Sequence, residues 1–257
     1  MERDPTSDGG AYRTVAELLD LAQGAVQGQS LSRRKVLAGT GLVLSGGALT
    51  GGAAAQDDDS DHDNGGRGRG GGAGNQDVPG TDVDVLNYAL TLEHLEDAFY
   101  RDVTPSDETL RNSDTLAPFG DQIRSTAPEY IAKIGEHEAT HVDVLEQVIK
   151  MLGGEPVPEL EYEFGVYDGN EIDPDAFLSV AQALENTGVM AYDGSLALIE
   201  SPDLQTAGAT IATVEARHAS YLNLLQGDIP FPGAFDESKS MDEINKIAGQ
   251  FIVDSDD

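Results

Sequence analysis

The 257-residue chain predicts an all-α protein, a four-helix bundle with one long crossover, preceded by a disordered signal and linker region. Three observations carry that reading. Four segments, starting near Asp82, Thr126, Pro174 and Pro202, place apolar residues at alternating spacings of three and four. Proline stands near the start of three of them, and glycine follows the end of two. Two segments also share one pattern, Glu138-Ala-Thr-His141 and Glu215-Ala-Arg-His218.

The first helix reads from Asp82 to Arg101, with Leu86, Ala89, Glu93, Glu96 and Tyr100 on one stripe. The polar stretch Asp102–Ser125 contains two prolines and reads as a loop with at most one helical turn. The second helix is expected to start near Thr126, with Pro128 in its first turn, and to stop at Gly153-Gly154. Its stripe is Ile131, Ile134, Glu138, His141, Leu145, Val148 and Leu152. The connection Glu155–Ile172 is rich in Pro, Gly and acids. Asp173 is an N-cap and Pro174 the first position of the third helix. That helix aligns Leu178, Ala181, Glu185, Gly188, Tyr192, Ser195 and Ile199. Ser201-Pro202 repeats the start signal for the fourth, which aligns Leu204, Gly208, Ile211, Glu215, His218, Leu222 and Leu225 and ends at Gly227. The bundle is thus assigned to residues 81–228 and a C-terminal extension to 229–257, with a loop over Pro230–Asp236, a short fifth helix over Met241–Ile252 and an acidic tail.

The first third of the chain lacks this patterning. Ser32-Arg33-Arg34-Lys35-Val36-Leu37 precedes a weakly apolar run with six glycines, which ends Ala53-Ala54-Ala55 before Gln56. Paired arginines ahead of such a run resemble a twin-arginine export signal, with Val36 where Phe is usual. Residues 1–55 are therefore read as that signal and the mature protein as exported. Glycine makes the run a poor membrane span. Residues 56–80 are Asp-rich, then Gly/Arg-rich, and offer nothing apolar to bury. They read as a flexible linker, with His62 a solvated residue among aspartates.

Charge narrows the classes of partner. Fifteen Lys and Arg stand against 47 Asp and Glu, a net charge of -32. Such a surface repels the phosphates of nucleic acid and anionic membranes. Acids spread along the chain suit a medium salty enough to screen their repulsion, and a halophilic archaeon is the expected source. The chain has no cysteine, which excludes disulfides, thiolate metal sites and thiol catalysis.

The site candidates lie inside the apolar stripes. Ile134 and Leu145 bracket Glu138 and His141; Ile211 and Leu222 bracket Glu215 and His218. Charge in a bundle core is costly unless it is paired or ligates a metal. Three residues advance about 300° around a helix, so the carboxylate and imidazole of each motif point the same way. Such a carboxylate can bridge two ions while the imidazole caps one. Glu93 and Glu185 on the other two helices complete a Glu, Glu-x-x-His, Glu, Glu-x-x-His inventory for a two-metal site. Carboxylates with one imidazole per metal favour iron or manganese.

The inventory is also a repeat. Glu93 precedes Tyr100 by seven residues, as Glu185 precedes Tyr192, and Glu138–Leu145 aligns with Glu215–Leu222. This predicts two similar hairpins about a pseudo-twofold axis, joined by the long connection.

With these residues in register, 82–226 resembles the ferritin-like superfamily, in particular exported members whose first helix reads much like Leu86–Tyr100. The resemblance implies Glu93 and His141 on one metal, Glu185 and His218 on the other, and Glu138 and Glu215 bridging. It further implies that Tyr100 and Tyr192 hydrogen-bond ligand carboxylates, with Glu138, Glu215, Tyr100 and Tyr192 at the chemistry. Two Fe ions are implied, with Mn an alternative, and oxidation of ferrous iron by O2 or peroxide. Expected partners are metal ions and O2 or peroxide; the signal adds the twin-arginine translocase during export, and a homodimer is left open. The competing reading is a non-enzymatic envelope or stress-protection bundle with structural metal or none.

Several residues depart from the repeat. Glu96 faces the core where its counterpart is Gly188, and is either an extra ligand or a carboxylate reaching the bundle end. His94, Glu136 and His137 neighbour candidate ligands but point off the stripe, and are expected at the surface. Asp97 and Asp143 are either acceptors for the imidazoles or part of a solvated face.

Overall fold

The computed structural model describes residues 82–253. The export signal, the linker with His62 and the end of the acidic tail lie outside the described residues. Helix α1 spans Asp82–Val103, α2 Asp107–Arg111, α3 Asp121–Met151, α4 Pro174–Ser195, α5 Pro202–Leu225 and α6 Met241–Ala248. A two-stranded antiparallel hairpin, β1 (Tyr167–Asp168) and β2 (Glu171–Ile172), interrupts the long connection. No helix among the described residues is long and apolar enough to cross a membrane.

Local chemistry sets most of the helix starts. The Ser106 hydroxyl accepts from the Thr109 amide at the head of α2. The Asp173 carboxylate accepts from the Asp175 and Ala176 amides ahead of Pro174, and Ser201 accepts from Leu204 ahead of Pro202. Ser240 and Glu243 close a reciprocal capping box on α6. That helix stops at Ala248 instead of Ile252, with Gly249 as its C-cap.

Helix α3 departs from expectation. It begins at Asp121, not Thr126, so Pro128 lies inside it and not in its first turn. Tertiary contacts outweigh the proline. The Arg124 guanidinium donates twice to the Arg111 carbonyl, at 2.9 and 3.0 Å, and Ala127 is fully buried. At the other end Leu152 is exposed, because it lies beyond the last helical turn. The third stripe likewise changes character, since Leu196–Leu198 form a 3-10 turn before Ile199.

Cross-helix neighbours fix the directions. Gly154 approaches Val83 and Gly135 approaches Tyr100, so α1 and α3 are antiparallel. A Cβ at Gly135 would sit 2.9 Å from that of Tyr100, and only glycine allows so close an approach there. Leu196 meets Gly208 and Asn186 meets Asn223, so α4 and α5 are antiparallel. Tyr100 reaches Glu185 and Tyr192 reaches Glu93, so α1 and α4 are antiparallel as well. It follows that α3 and α4 are parallel. Their connection must travel the length of the bundle, about 33 Å for the 22 residues of α4. It does so along α1. Asn87 holds Glu155 and Val157, Arg101 pairs with Glu159, and Phe164 packs edge-on to Phe99.

The core has two halves. An aromatic half gathers Phe99, Tyr100, Phe164 and Phe177, with Ile131, Leu222 and Ile244. An aliphatic half gathers Leu86, Leu90, Leu145, Val148, Ile149 and Ile211. The polar residues of the stripes lie between them.

Candidate metal centre

All six predicted donors meet at mid-bundle. Glu93 (α1), Glu138 (α3), Glu185 (α4) and Glu215 (α5) are 0% exposed; His141 (α3) is 8% and His218 (α5) 5% exposed. They form two overlapping groups able to hold a metal ion. One is Glu93, Glu138, His141 and Glu215; the other is Glu138, Glu185, Glu215 and His218. Glu138 and Glu215 belong to both.

The distances repeat across the pseudo-twofold axis. Nδ1 of His141 lies 3.1 Å from Glu93 Oε2, and Nδ1 of His218 lies 3.1 Å from Glu185 Oε2. Glu138 presents Oε2 to His141 and Oε1 to His218, each at 2.9 Å. Glu215 spans the same pair less evenly, at 3.1 and 3.8 Å. Behind these groups, the Tyr100 hydroxyl donates to Glu185 Oε1 at 2.6 Å, and the Tyr192 hydroxyl donates to Glu93 Oε1. Each tyrosine thus holds a carboxylate of the other hairpin. Burial, reinforced by the adjacent carboxylates, pushes both phenols well above their ordinary pKa, so both remain donors.

Protons balance the charge in the absence of metal. Burial lowers the two imidazoles, but the surrounding glutamates outweigh it and raise both, His218 to about 12. Burial raises Glu138 and Glu215, but the imidazoles outweigh it and hold both below the usual carboxylate range. Glu93 is pushed by burial to about 7, and Glu185 well above its ordinary value. Divalent cations must displace these protons, so metal affinity falls as pH falls. Loading at pH 7.5 is expected to release about two or more protons per chain, measurable by calorimetry in buffers of different ionisation enthalpy. Stability carries a matching sign. Folded Glu93 keeps its proton up to about 7, whereas an unfolded glutamate loses it near 4.5. Its contribution is complete below pH 4.5 and is lost as pH rises through 7. The two raised imidazoles begin to lose theirs above about pH 6.5. Metal-free protein is therefore expected to melt at lower temperature at pH 8 than at pH 5, and metal should abolish the difference.

The donor set fits a pair of metal ions. Glu138 Oε1 and both Glu215 oxygens are buried without a hydrogen bond, because they lie near imidazole nitrogens but out of line with any N–H. Unpaired buried oxygens are costly, and cations held by the two groups would satisfy all three. Five of the six imidazole–carboxylate separations, 2.9 to 3.1 Å, also match the edge of an octahedron with bonds of about 2.1 Å, and His218–Glu215, at 3.8 Å, is longer.

The departures resolve differently. Glu96 is 3% exposed and makes no hydrogen bond or ion pair among the described residues. Its Oε1 lies 3.0 Å from where a Cβ on Gly188 would stand, so the missing side chain makes its room. Burial, then repulsion from Glu215 and Glu185, raises its pKa well above the carboxylate range, which leaves it neutral. Glu136 is a surface residue paired with Lys133. Asp97 pairs with Arg101 at 2.6 Å, and Asp143 is exposed; neither takes an imidazole proton. Two surface expectations fail. His94 is 5% exposed because the crossover lies over it, and its Nε2 donates to the Val157 carbonyl at 3.2 Å, away from the centre. His137 is half-buried, with Nδ1 2.9 Å from His218 Nε2. It stands 100° off the stripe, and only the close packing of α3 on α5 brings it inward.

No curated protein matches the chain. A model of the ferritin-like domain matches residues 81–228, from the head of α1 to just past α5. That match spans the four long helices and every donor described above, and the chain belongs to the ferritin-like domain family.

Proposed function

We propose that this chain is an exported two-metal carboxylate protein that oxidises ferrous iron, or reduces O2 or peroxide, at a di-iron centre. One observation carries the reading most: Glu138 turns one oxygen to each imidazole at equal distance, the arrangement of a bridge. Glu93 with His141, and Glu185 with His218, would then be the terminal ligands of two positions, with Glu215 the second bridge. When bound, the iron pair supplies the electrons for reduction of the oxidant.

The chain's residues would set the conditions for that chemistry. The carboxylates offer four negative charges that offset those of two divalent ions. Tyr100 and Tyr192 keep the terminal carboxylates oriented by hydrogen bonds. The flanking apolar halves of the core limit water. Glu96, protonated by burial and by its carboxylate neighbours, can deliver a proton beside Glu215. The export proposal rests on the Arg33-Arg34 signal and is checked by a mature N-terminus at or near Gln56.

Metal analysis with O2 uptake tests the central claim. About two irons per chain and consumption of O2 on addition of ferrous iron are expected. A folded protein that retains no metal and consumes no O2 would return the molecule to the non-enzymatic reading, against which the unpaired oxygens count.

A further inference from the structure

The two metal positions differ in what stands behind the imidazole. His218 directs Nδ1 at Glu138 and Glu185, and its Nε2 meets Nδ1 of His137 at 2.9 Å. His141 directs Nδ1 at Glu93, Glu138 and Glu215 in the same way, but its Nε2 has no hydrogen-bond partner among the described residues. The repeat explains the asymmetry: Glu138 corresponds to Glu215, so His137 corresponds to Val214, which has nothing to offer an imidazole.

A neutral imidazole carries one proton. If Nδ1 of His218 is to face a metal it must be bare, so the proton belongs on Nε2 and needs an acceptor. Nδ1 of His137 is that acceptor, and the two rings lie within 18° of parallel. His137 and His218 together line an opening of about 180 Å³, with Tyr130, Lys133, Ile134, Arg217 and Tyr221 around them.

We propose that His137 is a positioning residue that fixes His218 as an Nδ1 donor, making the Glu185/His218 position bind metal more tightly than the Glu93/His141 position. This rests on the two-metal reading above. Outer partners of metal-bound histidines typically contribute 10- to 100-fold in affinity.

Titration of the metal-free protein with Co(II), followed by its visible absorption, tests the inequivalence. Wild type is expected to bind two equivalents in distinct steps. His137→Phe keeps a ring in the opening but offers no acceptor. It should weaken one step about 10- to 100-fold and leave the other unchanged, and His137→Gln, whose amide oxygen can accept, should restore much of the loss. Unchanged affinities in His137→Phe, or equal loss at both steps, would overturn the proposal; a wild type that binds no cobalt would instead overturn the two-metal reading. Should His137→Phe fail to fold, 15N-histidine NMR of the Zn(II)-loaded wild type decides. The chain has only five histidines, so assignment is tractable. A protonated Nε2 on His218 supports the assignment, and metal on Nε2 refutes it.

Discussion

Glu138→Gln is expected to empty both metal positions at once. Its two oxygens lie 2.9 Å from Nδ1 of His141 and of His218, so one carboxylate serves both donor groups. The amide keeps the shape and volume but removes the charge and turns an N–H donor toward one position. Each position then has a charge deficit and one poor ligand. Affinity for both ions should fall by at least about 100-fold, beyond the range typical of outer partners. By contrast, Glu93→Gln should spare the Glu185/His218 position. Metal content after dialysis against a weak chelator distinguishes the two. Loss of one ion in Glu138→Gln would show that it does not bridge.

The largest effect on stability is expected from Phe177→Ala. Phe177 is 0% exposed and stacks on Phe99 at 4.8 Å with the rings within 5° of parallel. It also meets Tyr100 edge-on at 6.2 Å. Truncation removes a ring from a filled core and leaves a cavity, at a cost of about 3–5 kcal/mol. That is a large share of the total stability of a typical domain. The loss should also reach the centre, because Tyr100 orients Glu185 from the same cluster. Chemical denaturation gives the first number, and the Co(II) spectrum of the surviving folded fraction reports the second. A cost under about 1 kcal/mol would mean that neighbours collapse into the space.

The bundle was legible because its helices are amphipathic and their starts are signalled by side-chain caps. The six donors were legible for the same reason: glutamates and histidines at stripe positions contradict the apolar pattern around them. The periodicity of one helix, however, reports only its inward stripe. His94 and His137 lie on its flanks, where burial depends on what packs alongside. For His94 that is the crossover, and for His137 it is α5. Pro128 misled in a similar way. It is a sound local signal for a helix start, and a remote arginine-to-carbonyl contact overrode it. The β1–β2 hairpin turns at Gly169, where φ is +64°, within a stretch whose Pro, Gly and acids marked only irregular chain.

The reciprocal tyrosine contacts make the two halves of the chain mutually dependent. Each donor group draws on three of the four long helices, so neither hairpin alone supplies a complete group. Yet each hairpin contributes one glutamate that belongs to a single donor group, one that belongs to both, one histidine and one tyrosine. A hairpin clasped to a twin of itself would own the full complement.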